Sequence, residues 1–413
     1  MDESESELGT NGASPAPSAD WPPKKSRGRR LLYIGVLILL LGAFARVCGR
    51  PMRGPLRGPE HAHKLVFAPS PYTHDLPGRL DVYAANWEIP GARVENRPPY
   101  RSVILDRERN LIVYTPDGID PAKADAPLIL LFHGYLDTPV HMLATALRPL
   151  ADAMAADVFP PSVIAIPDVS IGGTGADDPA TPLDERLGHW GVDSNLGRFS
   201  EDLLGGVIPF VRERYPVRTD ADGTVLMGYS VGGFIAVSLA LRQPRLAQTV
   251  VAISPALDMR YAIDGERLAP YDEARYRPIE DDRPDRVILR AGRIGRFTDR
   301  WAFWPVFDSD ARPGPVWNED RPVWERLRET NPPDLLSREG LDLSGRAFYI
   351  VAGDKDVYFF QHHIPRFAAR ARQLGATVEP AAPVRPGAHS LMFVSRQIPD
   401  AAKFLGTRLA PKP

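Results

Sequence analysis

The sequence predicts an α/β fold: a mostly parallel, doubly wound sheet with a cap inserted over one edge. Three observations carry this. From about residue 76, short apolar runs alternate with helix-period segments, the rhythm of successive strand–helix–strand units. Several runs, such as LILLF (128–132) and VVAI (250–253), are apolar throughout rather than alternating, as strands covered on both faces are. With 44% hydrophobic and 25% charged side chains, a chain of 413 residues can bury a large core.

Taken in order, residues 1–30 are poor in apolar residues, read as a disordered cytoplasmic tail, and end in the basic cluster KKSRGRR (24–30). LLYIGVLILLLGAFA (31–45) follows. Its 15 residues rise about 22 Å as a helix, against a hydrocarbon core of roughly 30 Å. If Arg46 snorkels, the span extends over residues 31–48. The segment reads as a transmembrane signal anchor with its basic side in the cytoplasm. A signal peptide cut after AFA is the alternative, and a buried helix a third. Either of the first two exports the rest of the chain, to the periplasmic side of a bacterial inner membrane or, after cleavage, to the outside. Residues 49–75, rich in Pro, Gly and Arg, read as a linker, and 76–410 as one domain.

Within that domain the strand candidates are RLDVYAANW (79–87), RSVILD (101–106), NLIVYTP (110–116), PLILLFHG (127–134), SVIAIPD (162–168), GTVLMGYS (223–230), TVVAISP (249–255) and AFYIVAGD (347–354). RFSEDLLGGVIPFVRERY (198–215) reads as an amphipathic helix with Leu204, Val207, Ile208 and Val211 on one stripe. Residues 260–340 hold four of the seven Trp (301, 304, 317 and 324) without a clear strand, which suggests a cap. These Trp could clamp an acyl chain or staple the cap.

Composition excludes several functions. A formal charge of −2 leaves no molecule-wide basic field for nucleic acid. A single cysteine, Cys48, excludes an intramolecular disulfide framework and a Cys-built zinc site. IGGTGADD (171–178) lacks the strand-to-helix Lys pattern of a phosphate loop. ADDPATPLDE (176–185) lacks regular calcium-ligand spacing, and His362 and His363 lack partners at metal-ligand spacing and are expected to face solvent or the cap. No cofactor or metal is expected.

GYSVG (228–232) is where chemistry enters. Glycine weakens strand and helix alike, so Gly228, Gly232 and Gly233 need a steric reason. A sharp strand-to-helix turn that pushes Ser230 outward supplies one, because side chains two residues either side would clash. A serine hydroxyl needs a base, and RPGAHSLMF (385–393) offers His389 in a loop before the last helix, IPDAAKFLG (398–406). The imidazole needs a carboxylate to fix its tautomer. Asp354 ends the 347–354 strand candidate and Asp356 lies just beyond it; Asp356 is preferred, with Asp354 as a turn or supporting residue. The amides of Val231 and Tyr135 are the candidate oxyanion donors, with Gly134 allowing close approach and His133 a packing and hydrogen-bonding residue.

PLILLFHGY, GYSVGG, GDKDVYF and PGAHS stand in the order and spacing of an α/β-hydrolase, which the chain resembles over roughly residues 100–408, the insertion excluded. GHWGVDSNLGRFSEDLLGGVIPFVRERYPV (188–217) is similar to the esterase D branch, with its S-formylglutathione hydrolases, ferulate and enterochelin esterases and mycolyltransferases. The resemblance implies a serine esterase acting on a small-molecule or lipid or envelope acyl ester. An acyltransferase passing the same acyl group to a sugar or lipid hydroxyl is the first rival. A non-catalytic anchored binding module is the second. The anchor and the Trp-rich insertion depart from the family pattern, so no substrate carries over.

Overall fold

The computed structural model describes residues 89–96, 100–173, 185, 187–194, 196–258, 328–356, 358 and 360–409, all within the unit Lys64–Pro413. The segment 31–48, the linker 49–75, the strand candidate 79–87 and the four cap Trp lie outside the described residues. Among the described residues no helix is long and apolar enough to cross a membrane.

Among the described residues nine strands form the central sheet: β1 (Ala92–Asn96), β2 (Leu111–Pro116), β3 (Leu128–Phe132), β4 (Val163–Pro167), β5 (Thr224–Tyr229), β6 (Thr249–Ile253), β7 (Ala347–Lys355), β8 (Thr377–Glu379) and β9 (Val384–Ala388). Their order is β1-β2-β4-β3-β5-β6-β7-β8, and β9 pairs with β7. β1–β2 and β2–β4 are antiparallel; every other ladder of this sheet is parallel.

Burial explains the apolar runs. Every residue of β3, β4, β5 and β6 is buried. Successive residues feed opposite cores, as the two-residue period of a strand requires. Leu128, Leu130 and Phe132 enter one core; Ile129 and Leu131 enter the other. The second core is closed by α1 (Pro139–Met142 and Arg148–Ala155, joined by a π-type turn at Leu143–Leu147) and by α6 (Leu391–Leu409). The first is closed by α2 (Phe199–Asp202 and Ile208–Arg214, joined by a π-type turn at Leu203–Val207), α3 (Val231–Arg242) and α5 (His363–Gln373). A short α4 (Pro332–Leu335) packs beside α3. Residues 231–241 of α3 are all buried, so this helix is apolar all round rather than amphipathic.

The structure corrects several sequence expectations. RSVILD is no through-going strand: Arg101–Ser102 pairs back on Arg107–Glu108, leaving Val103 92% exposed. Ser102 turns inward to donate to Asp202 on α2, and that polar tether breaks the run. In α2 Val207, Ile208 and Val211 are buried as expected and half-buried Leu204 packs on the same core, which Leu203 also enters across the π-type turn. The segment carrying RPGA is β9, not a loop, and the last helix begins at Leu391 rather than at Ile398. Of the two places expected for His363, solvent is excluded, because it is buried with its Nδ1 accepting the Asp258 N–H at 3.2 Å and burial pushing its pKa down to about 3, while the cap lies outside the described residues.

Candidate active site

Ser230 lies between β5 and α3 with φ 55° and ψ −116°, a conformation costly for a side chain bearing Cβ. Backbone hydrogen bonds hold it there. Its N–H donates to the Ile253 carbonyl at 3.0 Å, and its carbonyl accepts the Phe234 N–H at 3.0 Å. The flanking glycines are steric necessities. A Cβ on Gly228 would collide with the Gly232 carbonyl, and one on Gly232 with the Phe132 carbonyl of β3. Gly233 would meet Pro255 Cβ at 2.9 Å.

β7 and β9 deliver the two partners. Lys355 pairs with Ala388, so Asp356 and His389 leave adjacent strand ends side by side. His389 Nδ1 lies 2.8 Å from Asp356 Oδ2, and His389 Nε2 lies 3.0 Å from Ser230 Oγ. The second oxygen of Asp356, Oδ1, accepts the Tyr358 N–H at 2.9 Å. That leaves the imidazole Nδ1–H facing an acceptor and Nε2 facing the hydroxyl, the tautomer a general base needs. Ser230, His389 and Asp356 are 7%, 6% and 2% exposed, so bulk water barely screens these contacts. Tyr229, Tyr358 and Phe360 surround the imidazole, with ring centroids 4.9, 4.8 and 5.3 Å away. Asp354 does not reach His389; its exposed carboxylate accepts the Gly387 N–H at 2.9 Å.

The side chains of the two candidate oxyanion residues both approach Gly188. A Cβ there would lie 3.2 Å from the Tyr135 ring and 3.6 Å from Val231 Cγ1. Val231 is the first residue of α3, where an N–H has no acceptor within its own helix. Tyr135 follows β3, its ring packs on Trp190 with centroids 6.3 Å apart, and burial raises its phenol well above the ordinary range.

His133 packs and hydrogen-bonds as expected, but the buried polar cluster it joins with Arg109 and Asp168 is absent from the sequence reading. His133 Nε2 accepts the Val169 N–H at 2.8 Å, so the proton sits on Nδ1, which donates to the Gly134 carbonyl at 2.9 Å. Arg109 donates to the carbonyls of Asp168, Ser170 and Ile171 at 2.7, 3.1 and 3.1 Å. Burial pushes the Asp168 carboxyl up, yet its neighbours hold it well below the usual carboxylate range. Since His133 Nε2 is already an acceptor, the groups that stabilise the carboxylate are the Arg109 charge and the Ser170 N–H at 2.8 Å. One Arg among dozens carries no pattern that would have marked it. Among the described residues, no group of three or more His, Cys, Asp or Glu could hold a metal ion.

Residues 102–373 match the family described as "Putative esterase". Among solved structures, a ferulic acid esterase is similar with a TM-score of 0.53 and 14% identity, over 77% of this chain and 99% of that one. An S-formylglutathione hydrolase from Agrobacterium tumefaciens is similar with a TM-score of 0.50 and 15% identity, over 77% and 95%. At such identities the likeness is one of fold. No curated protein matches the chain.

Proposed function

The chain belongs to this esterase family, and from that membership we propose a serine carboxylesterase in which Ser230 is the nucleophile, His389 the general base and acid, and Asp356 the group that orients the histidine. Ser230 Oγ attacks the acyl carbonyl while its proton passes to His389 Nε2. The tetrahedral oxyanion is held by the Val231 and Tyr135 amides. Collapse breaks the ester C–O bond, and His389 returns the proton to the leaving alkoxide. Water then repeats the sequence on the acyl-enzyme, releasing the acid and free Ser230. The ester is a small-molecule or lipid or envelope acyl ester, and the chemistry needs no cofactor.

The observation that carries this reading is the continuous hydrogen-bonded chain Asp356–His389–Ser230. Its test is Ser230→Ala assayed on a short chromogenic acyl ester, with wild-type protein labelled by a fluorophosphonate and the labelled residue mapped. Removing such a nucleophile typically lowers the rate about 10⁴- to 10⁶-fold. Activity within tenfold of wild type in the pure variant, or a label on another residue, defeats the assignment.

We propose further that residues 31–48 anchor the chain in a membrane with the hydrolase outside the cytoplasm. The support is the dense basic cluster 24–30 directly before an apolar run. Protease added to intact spheroplasts should digest the catalytic domain and spare the N-terminal tail; the reverse pattern defeats the orientation.

A further inference from the structure

A parallel pair of strands that ran without interruption would not build this site. β7 and β9 are in register at Gly353–Arg385 and again at Lys355–Ala388. Between these pairs β7 spends one residue, Asp354, where β9 spends two, Pro386 and Gly387. The extra residue is a bulge on β9. Without it, Lys355 would face Gly387 and Asp356 would face Ala388, leaving a methyl group where the imidazole belongs. A one-residue slip also turns each side chain to the opposite face, so the register decides whether acid and base meet.

Local chemistry shows what holds the bulge. Pro386 has no N–H to give to a ladder. Gly387 has φ 153° and is pressed against Phe393, and the strands run so close that a Cβ on Gly353 would strike the Gly387 carbonyl. Gly387 N–H is taken by the Asp354 carboxylate at 2.9 Å. That bond ties the acid-bearing strand to a point two residues before His389.

We propose that Asp354 is a positioning residue: it pins the β9 bulge and thereby sets the register that places Asp356 against His389. This rests on the assignment of Ser230, His389 and Asp356 above. The role needs a hydrogen-bond acceptor at Asp354, not its charge, because the side chain is exposed and water screens the carboxylate.

The test compares Asp354→Ala, Asp354→Asn and Ser230→Ala in the full chain, reading kcat, KM and amide hydrogen exchange over residues 384–390. Asp354→Ala should lower kcat about tenfold with KM within about twofold, and should speed exchange in that segment. Asp354→Asn keeps an acceptor oxygen and should retain at least about half of wild-type kcat with slow exchange. The inference is overturned if Asp354→Ala keeps kcat within about twofold of wild type, or if the Asn variant falls as far as the Ala variant. Ser230→Ala separates the two levels. If it stays active, the nucleophile assignment fails; if it is dead while Asp354→Ala is fully active, only the register role fails.

Discussion

Asp356→Asn isolates the electrostatic part of the site, because the substitution changes almost no volume. Both carboxylate oxygens are in use, Oδ2 by His389 Nδ1 at 2.8 Å and Oδ1 by the Tyr358 N–H at 2.9 Å. An amide has one oxygen for these two donors. If the oxygen keeps Tyr358, the NH₂ faces Nδ1 and drives the proton to Nε2, so the histidine meets Ser230 as a donor and cannot act as a base. If it keeps His389, the NH₂ is forced against the Tyr358 N–H, and a buried unmade bond costs about 1–3 kcal/mol. In either orientation the negative charge beside the developing imidazolium is gone. At about 4 Å and an effective dielectric near 20, that charge contributes about 4 kcal/mol. The sum is about 5–7 kcal/mol, or roughly 10⁴- to 10⁵-fold in kcat. The assay is ester hydrolysis with the fold checked by circular dichroism. A loss below tenfold in folded Asp356→Asn, or a larger loss in Asp354→Asn, would refute the reasoning and move the acid's role to Asp354.

Gly232→Ala drives a methyl group into the Phe132 backbone carbonyl, which cannot step aside as a flexible side chain could. A melting temperature lower by several degrees is expected with a loss of activity; an unchanged melting curve would show that the elbow has slack. Stability should also fall with acid. Burial lowers the pKa of His363 to about 3 and places His189 well below its ordinary value, so the unfolded chain binds these protons first. The stability held by keeping them neutral is full above about pH 6.5 and is lost as pH falls below it, for His363 down towards its folded value of about 3. Urea midpoints at pH 7.5 and 5.5 check this, and equal midpoints would refute it.

Much of the fold was legible because burial on both faces writes itself as uninterrupted apolar runs. β2, β3, β4, β5, β6 and β7 all fall on such runs. The strands that escaped are at the margins of the sheet. β1 (ARVEN) and β8 (TVE) are short and polar, and β9 (VRPGA) holds both a Pro and a Gly. Their places are fixed by pairing partners far away in sequence, not by composition. At the candidate site, Ser230, Asp356 and His389 could be singled out from spacing and order, and the structure links them by hydrogen-bond distances, His389 to each of the other two. The cluster of Arg109, His133 and Asp168 was not, since its contacts span tens of residues and several end on backbone carbonyls.

The same comparison shows why the reactive geometry sits on backbone devices. Ser230 is presented by a strained turn, at a cost of about 1–3 kcal/mol, that persists because both ends of its peptide unit are bonded and glycine lets α3 press onto β3. Asp356 and His389 are presented by a register that one bulge defines. Each device breaks a local rule: glycines where a strand meets a helix, and Pro-Gly inside a strand. Such breaks are hard to reconcile with stability alone, and they occur at the two places where the chain must aim a side chain at another segment. The distances within the proposed triad therefore follow from main-chain positions fixed before any rotamer is chosen. A substitution in the rings around His389 should accordingly perturb the site less than one that lets β9 slip by a single residue.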